Sequence, residues 1–311
     1  MEKKQRNFVK IVNEVCEEEN IDVKSYSSEW IFKLSKGSVS KHIVGHRFEL
    51  NSCSIDAICN DKSGTAEILA DNGIDCVEHK FYISPSYLEH MNSDGNWEGM
   101  LKYLNEHKKI VCKPNEGTSG VGVSVVKNKK ELEVATDYIF SISRGMALSP
   151  YYDIENEYRV IILNDNVKLI FSKSVPSVVG NGKDTVLRLL ADSKVEYKRI
   201  EFSNYIDFSY IPSENEIVKL NWKHNLGLGA SAEIVTDNHI TEELSKIAIK
   251  AAKILNIKFA SIDIIKTENT YKILEINSGF MMEYFSRESE ENYKIAKGIY
   301  KEAINSMFSK S

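Results

Sequence analysis

Two carboxylates and an amide near the end of the chain have the types and spacing of ligands for a hard cation. Asp263 lies in one apolar run, and Glu275 and Asn277 lie two positions apart in the next. Residues two apart in a strand share a face, so a hairpin of these runs would bring the three side chains together. Oxygen ligands without His or Cys favour Mg²⁺, which also binds nucleotide phosphates. The alternation equally permits edge strands with both carboxylates in solvent.

A glycine-rich segment, KPNEGTSGVGV over residues 113–123, has the composition of an anion-binding loop. Glycines let backbone amides approach phosphate oxygens, and Lys113 adds a positive charge where the loop begins. The segment is not a P-loop, because no Gly-Lys-Ser/Thr ends it and no helix follows directly. The alternative is a plain hairpin in which the glycines serve only the turn.

Two further segments carry polar side chains that could act on a bound substrate. Glu157 and Arg159 share one face of a predicted strand, where a carboxylate can bind ribose hydroxyls and an arginine can bind phosphate. The alternative is a surface ion pair. His224 lies in the irregular segment 192–225, where it is either a base for an amine or a solvated loop residue.

Hydrophobic periodicity places these residues on strands that alternate with amphipathic helices. Asp61 has the type of a helix N-cap, and Gly73 is the expected end of that helix. The other predicted helices cover residues 4–19, 96–107, 129–140, 185–191, 241–255 and 289–307. The predicted strands cover residues 30–34, 39–44, 110–113, 121–126, 158–163, 167–175, 259–266 and 270–277. This mixture predicts α+β lobes around an antiparallel sheet.

Composition and charge exclude several classes of protein. The chain of 311 residues has 42% hydrophobic and 27% charged residues, which is typical of a globular protein with two or three lobes. Its net charge of −5 argues against general nucleic-acid binding. No run of about 18 apolar residues is present, so no membrane segment is expected. The five cysteines form no CxxC pair, which predicts free thiols in the cytoplasm.

The segments described above, taken in order, resemble the signature motifs of the ATP-grasp superfamily. Residues 61–74 resemble its DK…GI segment, and residues 113–123 resemble its phosphate loop. Asp263, followed by Glu275 and Asn277, resembles its magnesium-ligand signature in order and approximate spacing. These matches, all in the correct order along the chain, are more specific than any one of them.

A closer likeness concerns three segments of the C-terminal half. Residues 172–190, 225–237 and 250–265 are similar to segments of the ATP-grasp domains of cyanophycin synthetase and bifunctional glutathione synthetases. The resemblance implies an α+β, ATP-grasp fold of three lobes, with ATP held between two α+β subdomains. The implied lobes are a short N-terminal substrate-side lobe at 1–60, a central subdomain with a Gly-rich lid at 61–150, and a C-terminal subdomain with a magnesium site at 151–311.

The resemblance also implies roles for individual residues, carried over by position. The implied nucleotide-binding residues are Lys62, Lys113, Gly117, Thr118, Ser119 and Gly120 around the phosphates, Pro150 and Tyr151 beside the adenine, and Glu157 beside the ribose. Lys173 and Arg159 would stabilise charge on the transferring phosphoryl group. Asp263, Glu275 and Asn277 would hold Mg²⁺, with two ions expected and Mn²⁺ as an alternative.

The activity that the resemblance implies is an ATP-dependent ligase. It would activate a carboxylate, of an amino acid or short peptide, as an acyl phosphate and couple it to an amine. Two alternatives stay open, a kinase of the same fold acting on a small molecule and a non-catalytic nucleotide-binding regulatory module. Expected partners are the small-molecule or short-peptide carboxylate and amine, with no nucleic acid and no membrane, and a homodimer fits because dimers are common among such proteins.

Three departures from the family pattern lie near the expected substrate pockets. Lys173-Ser174 stands where the relatives have Arg-Arg, and Ser261 stands where the D-alanine ligase branch has an arginine. After Asn277 the chain reads SGFMMEYF instead of the usual SPG. These positions predict a substrate specificity particular to this chain.

Overall fold

The computed structural model describes residues 5–90, 97–117, 120–193, 206–268 and 270–309. The chain begins with a helix whose apolar residues, spaced three and four apart, form one buried face. A four-stranded antiparallel sheet in the order β1-β2-β3-β4 follows. These elements are α1 (Asn7–Glu18), β1 (Asp22–Tyr26), β2 (Ile31–Lys36), β3 (Val39–Val44) and β4 (Arg47–Phe48).

The middle of the chain forms a second four-stranded antiparallel sheet, in the order β5-β8-β6-β7. Asp61 caps the helix that precedes it by accepting a hydrogen bond from the Gly64 amide at 2.7 Å, and Gly73 ends that region with φ of +66°. The elements are α2 (Cys53–Asn60), α3 (Lys62–Asp71), β5 (Lys80–Ile83), α4 (Trp97–His107), β6 (Ile110–Pro114), β7 (Ser124–Val126), α5 (Lys129–Ile142) and β8 (Gly145–Pro150).

The C-terminal half forms a five-stranded antiparallel sheet in the order β13-β10-β9-β14-β15, and a small pair, β11-β12, lies beside it. Its strands are β9 (Asn156–Leu163), β10 (Asn166–Lys173), β11 (Ser177–Val179), β12 (Ile217–Lys219), β13 (Ala232–Ile234), β14 (Phe259–Thr267) and β15 (Thr270–Asn277). Its helices are α6 (Val186–Asp192), α7 (Asn238–Leu255), α8 (Glu283–Glu288) and α9 (Glu290–Phe308).

Strand β9 is central in the five-stranded sheet and is buried on both faces. Val160 and Ile162 pack against α7 on one face. Ile161 and Leu163 face the opposite way and share a core with α1, β2 and α9. The N-terminal segment therefore packs directly against the C-terminal sheet. The boundaries expected at residues 60 and 150 stay predictions.

Most predicted elements are present, with small shifts at their ends. The strand expected from residue 121 begins at Ser124, because Gly122 has φ of +73° and cannot continue a regular strand. The strand expected to reach residue 175 ends at Lys173. Residues 4, 96, 118, 119 and 269, and part of the irregular segment 192–225, lie outside the described residues.

Two elements that the sequence did not predict matter for the site. Strand β8 is inserted between β5 and β6, and its residues are buried on both faces, so it shows no alternation. Helix α2 is short and amphipathic and leads directly into Asp61. Within the described ranges, no helix combines the length and the apolar character needed to cross a membrane.

Candidate active site

A large cleft of about 1170 Å³ lies between the β5–β8 sheet and the five-stranded sheet. Strands β6 and β8 contribute one side of its lining, and strands β9, β10, β14 and β15 contribute the other. Two loops also line it, one through Glu116, Gly117, Gly120, Val121 and Val123 and the other through residues 222–228. A cleft of this size can hold a nucleotide together with a small substrate.

Two lysines mark the phosphate-loop side of the cleft. Lys113 is buried at the end of β6, and its ammonium has no hydrogen-bond or ion-pair partner among the described residues. Burial lowers the pKa of Lys113 to about 8. Lys62 donates from Nζ to the Gly117 carbonyl at 2.8 Å, and burial also lowers its pKa. Both ammonium groups lie where the negative charge of a bound anion would offset the cost of their burial.

Asn115 fixes the start of the glycine-rich loop to the first turn of α3. Its Oδ1 accepts from the Ser63 amide at 3.1 Å and from the Ser63 hydroxyl at 2.8 Å. Its Nδ2 donates to Asp61 Oδ1 at 2.9 Å. The loop and the helix that carries Lys62 are therefore held together by one buried side chain.

Four charged side chains on three adjacent strands form a buried ion cluster. Arg159 and Asp263 are direct partners in the β9–β14 register, and the guanidinium donates to both carboxylate oxygens at 2.8 and 2.7 Å. Lys173 Nζ lies 3.1 Å from Asp263 Oδ2 and also contacts Glu157, its partner across β9 and β10. Although burial alone would raise the pKa of Asp263, the two cations hold it well below its usual range.

Strands β14 and β15 form the predicted hairpin, with Asp263 opposite Glu275 and Ser261 opposite Asn277. Asp263 is only 1% exposed, so the alternative of a solvent-facing carboxylate is wrong for this residue. Asn277 donates from Nδ2 to Glu275 Oε1 at 3.1 Å. The hairpin therefore presents two carboxylates and an amide oxygen toward the cleft.

This oxygen set has free acceptor capacity. Asp263 Oδ1 accepts only from Arg159 Nε, and Glu275 Oε2 and Asn277 Oδ1 have no hydrogen-bond partner among the described residues. A carboxylate oxygen offers two lone pairs, so each group can still bind a cation. No cluster of three or more His, Cys, Asp or Glu side chains suited to a metal occurs in the described part of the chain. The set fits Mg²⁺, which needs few protein ligands.

Aromatic side chains line the cleft near the end of β8, and a lysine lies over the ring of one of them. Lys109 Nζ lies 3.2 Å from the centre of the Tyr151 ring, and the Trp222 ring centre lies 6.4 Å from it. Pro150 adds a further apolar surface. Flat rings of this kind can stack on a nucleotide base.

The second loop reaches the cleft from the region between β12 and β13. His224 Nδ1 lies 2.6 Å from the backbone carbonyl oxygen of Lys173. A Cβ placed on Gly120 would lie 3.5 Å from Asn225 Nδ2, so the glycine-rich loop and this second loop meet at this point. Described residues of both loops line the cleft.

Comparisons with known proteins agree with this arrangement. Residues 215–301 match the family model of the RimK-like ATP-grasp domain. The chain is 23% identical over 283 residues to a cyanophycin synthetase from Nostoc sp., a match that covers 84% of this chain and 30% of that protein. It is 26% identical over 202 residues to the glutathione biosynthesis bifunctional protein GshAB of Listeria innocua, covering 56% of this chain and 26% of that protein.

One solved structure has a fold similar to that of this chain. The structure is similar to a bifunctional glutathione synthetase from Pasteurella multocida with a TM-score of 0.59, at 16% identity, over 95% of this chain and 44% of that one. The chain therefore has an ATP-grasp fold. It spans about a third or less of the length of the two curated relatives described above.

The described residues to which the resemblance assigns a role in ATP binding, Mg²⁺ binding or catalysis all line one cleft. They are Lys62, Lys113, Gly117, Gly120, Pro150, Tyr151, Glu157, Arg159, Lys173, Asp263, Glu275 and Asn277. Thr118 and Ser119 lie outside the described residues. Their roles stay predictions, and Lys173, Arg159 and Glu157 are engaged with one another or with Asp263 in this structure.

Sequence reasoning missed several residues of the ATP-grasp cleft. Asn115 lies inside the recognised loop motif, but its contacts with Asp61 and Ser63 depend on the tertiary fold. Trp30 and His46 come from turns between strands of the N-terminal sheet and line the cleft with Phe280. The only sequence signal for Phe280 was the departure after Asn277.

Proposed function

We propose that this ATP-grasp protein is a carboxylate–amine ligase. It transfers the γ-phosphoryl group of ATP to a carboxylate and couples the resulting acyl phosphate to an amine, releasing ADP and phosphate. One observation carries the proposal, which is that the unpaired Lys113 and the oxygen set of Asp263, Glu275 and Asn277 line the same cleft. This pairing of a buried cation with metal-binding oxygens suits a magnesium–nucleotide complex.

The phosphate end of ATP is assigned to the glycine-rich loop. Lys113 and Lys62 neutralise phosphate oxygens, and the loop amides add hydrogen bonds. When bound by Asp263, Glu275 and Asn277, Mg²⁺ offsets the charge of the phosphates. The adenine is assigned to Pro150 and Tyr151.

Arg159, Lys173 and Glu157 are assigned to the reacting end of the nucleotide and to the ribose. The guanidinium of Arg159 is fixed by two hydrogen bonds to Asp263, so it cannot swing to new positions. A cation held in place costs little reorganisation when charge develops on a transferring phosphoryl group. Glu157 both contacts Lys173 and lines the cleft, so its carboxylate can also accept ribose hydroxyls.

The substrates are proposed as classes of compound. The relatives reported above are named for cyanophycin and glutathione synthesis. We infer an amino acid or short peptide as the carboxylate donor and a second small molecule or short peptide as the amine. Homodimer formation and a cytoplasmic location stay predictions.

An assay of ADP and phosphate release tests this function. The purified chain is incubated with ATP, Mg²⁺ and paired amino acids and dipeptides, and the products are separated by mass spectrometry. We expect an amide product with equal amounts of ADP and phosphate. A stable phosphate ester formed without an amine would show a kinase, and ATP binding without turnover would show a regulatory module.

Two variants connect the activity to the cleft. Asp263→Asn and Glu275→Gln should each lower kcat by about 10²–10³-fold, by analogy with loss of one preorganised charge-stabilising group. Glu242→Gln serves as the control, because that carboxylate is exposed on α7 and pairs with Lys246 on the same helix. Full turnover by both cleft variants would contradict the proposal.

A further inference from the structure

His224 has a defined place in the cleft that the assignments above do not use. Its Nδ1 lies 2.6 Å from the backbone carbonyl oxygen of Lys173, on a strand 51 positions earlier in the chain. A carbonyl oxygen can only accept, so Nδ1 carries the hydrogen and donates it. This contact fixes both the ring orientation and the tautomer.

The fixed tautomer leaves Nε2 as the basic nitrogen. In neutral imidazole one ring nitrogen donates and the other keeps its lone pair. Nε2 has no hydrogen-bond partner among the described residues, and the ring lines the cleft. A proton acceptor is therefore open to a molecule bound in the cleft.

The proposed reaction needs such an acceptor. Amines with pKa values of about 8–10 are mostly protonated at neutral pH and cannot attack until they lose a proton. Glu157 and Asp263 are ion-paired in the cleft, and Glu275 accepts from Asn277 and belongs to the oxygen set for Mg²⁺. His46 also lines the cleft, but burial lowers its pKa to about 4, which makes it a weak base.

We propose that His224 is the general base that prepares the amine for attack, an inference that rests on the ligase function proposed above. His224 Nε2 takes one proton from the ammonium group, and the nitrogen lone pair forms the bond to the acyl carbon. The bond between that carbon and the phosphate oxygen breaks. The second nitrogen proton leaves with phosphate as HPO₄²⁻, and His224 returns its proton to water.

The charged groups around the ring are compatible with this role. Lys173 lies on the strand that holds His224, and its ammonium is balanced by Glu157 and Asp263. Arg159 is paired with Asp263, and Lys223 is the adjacent residue in the loop. The nearest strands thus present cations whose charge is already offset by neighbouring carboxylates.

A variant that keeps the anchor but removes the base tests the inference. In His224→Asn, the side-chain amide can still donate to the Lys173 carbonyl, but nothing replaces Nε2. Amide formation is compared with hydroxamate formation, using hydroxylamine as the nucleophile and a panel of amino acids as carboxylates. Hydroxylamine is already unprotonated at neutral pH and needs no base to become a nucleophile.

We expect amide formation by His224→Asn to fall by about 10²–10⁴-fold, the usual contribution of a general base. Hydroxamate formation and its ATP use should stay within a few-fold of wild type. His239→Gln is the control, since that side chain is exposed on the first turn of α7. His224→Gln replaces the first variant if His224→Asn does not fold.

Two results would overturn the role of His224. An equal loss of amide and hydroxamate formation would show a structural or phosphate-binding role, and no loss in either would show no role. A different failure belongs to the ligase function itself. If the wild-type protein forms no hydroxamate with any carboxylate, carboxylate activation is refuted. The role of His224 as a general base, which depends on that activation, is then refuted as well.

Discussion

Lys113 is a buried cation without a protein partner, so its removal should stabilise the nucleotide-free protein. Its pKa of about 8, against 10.5 for a free lysine, corresponds to about 3 kcal/mol of disfavoured charge. Methionine fills a similar volume without the charge. We expect Lys113→Met to raise the free energy of unfolding at pH 7 by about 1–3 kcal/mol and to weaken ATP binding strongly.

The sign of the pH dependence follows from the lowered pKa. Below pH 8 the lysine is protonated in both folded and unfolded chains, so the full cost of burying the charge is present. Between about pH 8 and 10.5 the folded chain releases this proton first, and the cost disappears as the pH rises. The stabilising effect of Lys113→Met should therefore be largest near neutral pH and shrink over that range.

Urea denaturation without nucleotide measures the free energy of unfolding of Lys113→Met. Calorimetric titration with ATP and Mg²⁺ measures its affinity for ATP. Lys130→Met is the matched control, because Lys130 is exposed on the first turn of α5. That control should change both quantities little. A Lys113→Met variant that is less stable than wild type, or that binds ATP normally, would refute the reasoning.

Two further substitutions test the scaffold of the site by urea denaturation. Arg159→Met leaves Asp263 buried with one cation fewer and should lower the free energy of unfolding by about 3–5 kcal/mol. Arg144→Met, the control, loses an exposed ion pair and should lower it by less than about 1 kcal/mol. An equal loss of stability in the two arginine variants would contradict a stabilising role of the buried pair between Arg159 and Asp263. Asn115→Leu leaves the Ser63 donors unpaired and should cost about 1–3 kcal/mol. Asn115→Leu should also raise the Kd for ATP measured by calorimetry. An unchanged Kd would show that the contacts of Asn115 with Ser63 and Asp61 do not position the glycine-rich loop.

The strands and helices with strong periodicity could be predicted from the sequence because their burial is one-sided or their ends carry clear signals. Asp61 has the type of an N-cap, and it caps α3. The β14–β15 hairpin followed from two apolar runs, and its pairing places Asp263 opposite Glu275. Strand β8 could not be predicted, because its sequence GMALSP shows no alternation and has none of the β-branched or aromatic residues common in strands. Strand β9 is also buried on both faces, but its run of Val, Ile and Leu made it recognisable.

The contacts that define the site depend on tertiary structure. Glu157 and Arg159 were recognised as residues on one face, but their partners Lys173 and Asp263 are set by strand order. The same holds for His224, whose hydrogen bond to Lys173 joins a loop to a distant strand. The order of the motifs indicated an ATP-grasp fold, whereas the ion cluster and the tautomer of His224 depend on contacts made only in the folded chain.

Transfer of a labelled oxygen tests the central claim, activation of a carboxylate as an acyl phosphate, most directly. The carboxylate that supports ADP release is supplied with ¹⁸O in both oxygens, and the released phosphate is examined by mass spectrometry. An acyl phosphate intermediate predicts one ¹⁸O atom in each phosphate formed, because the carboxylate oxygen leaves with the phosphoryl group. Phosphate without label, formed together with the amide, would contradict the account.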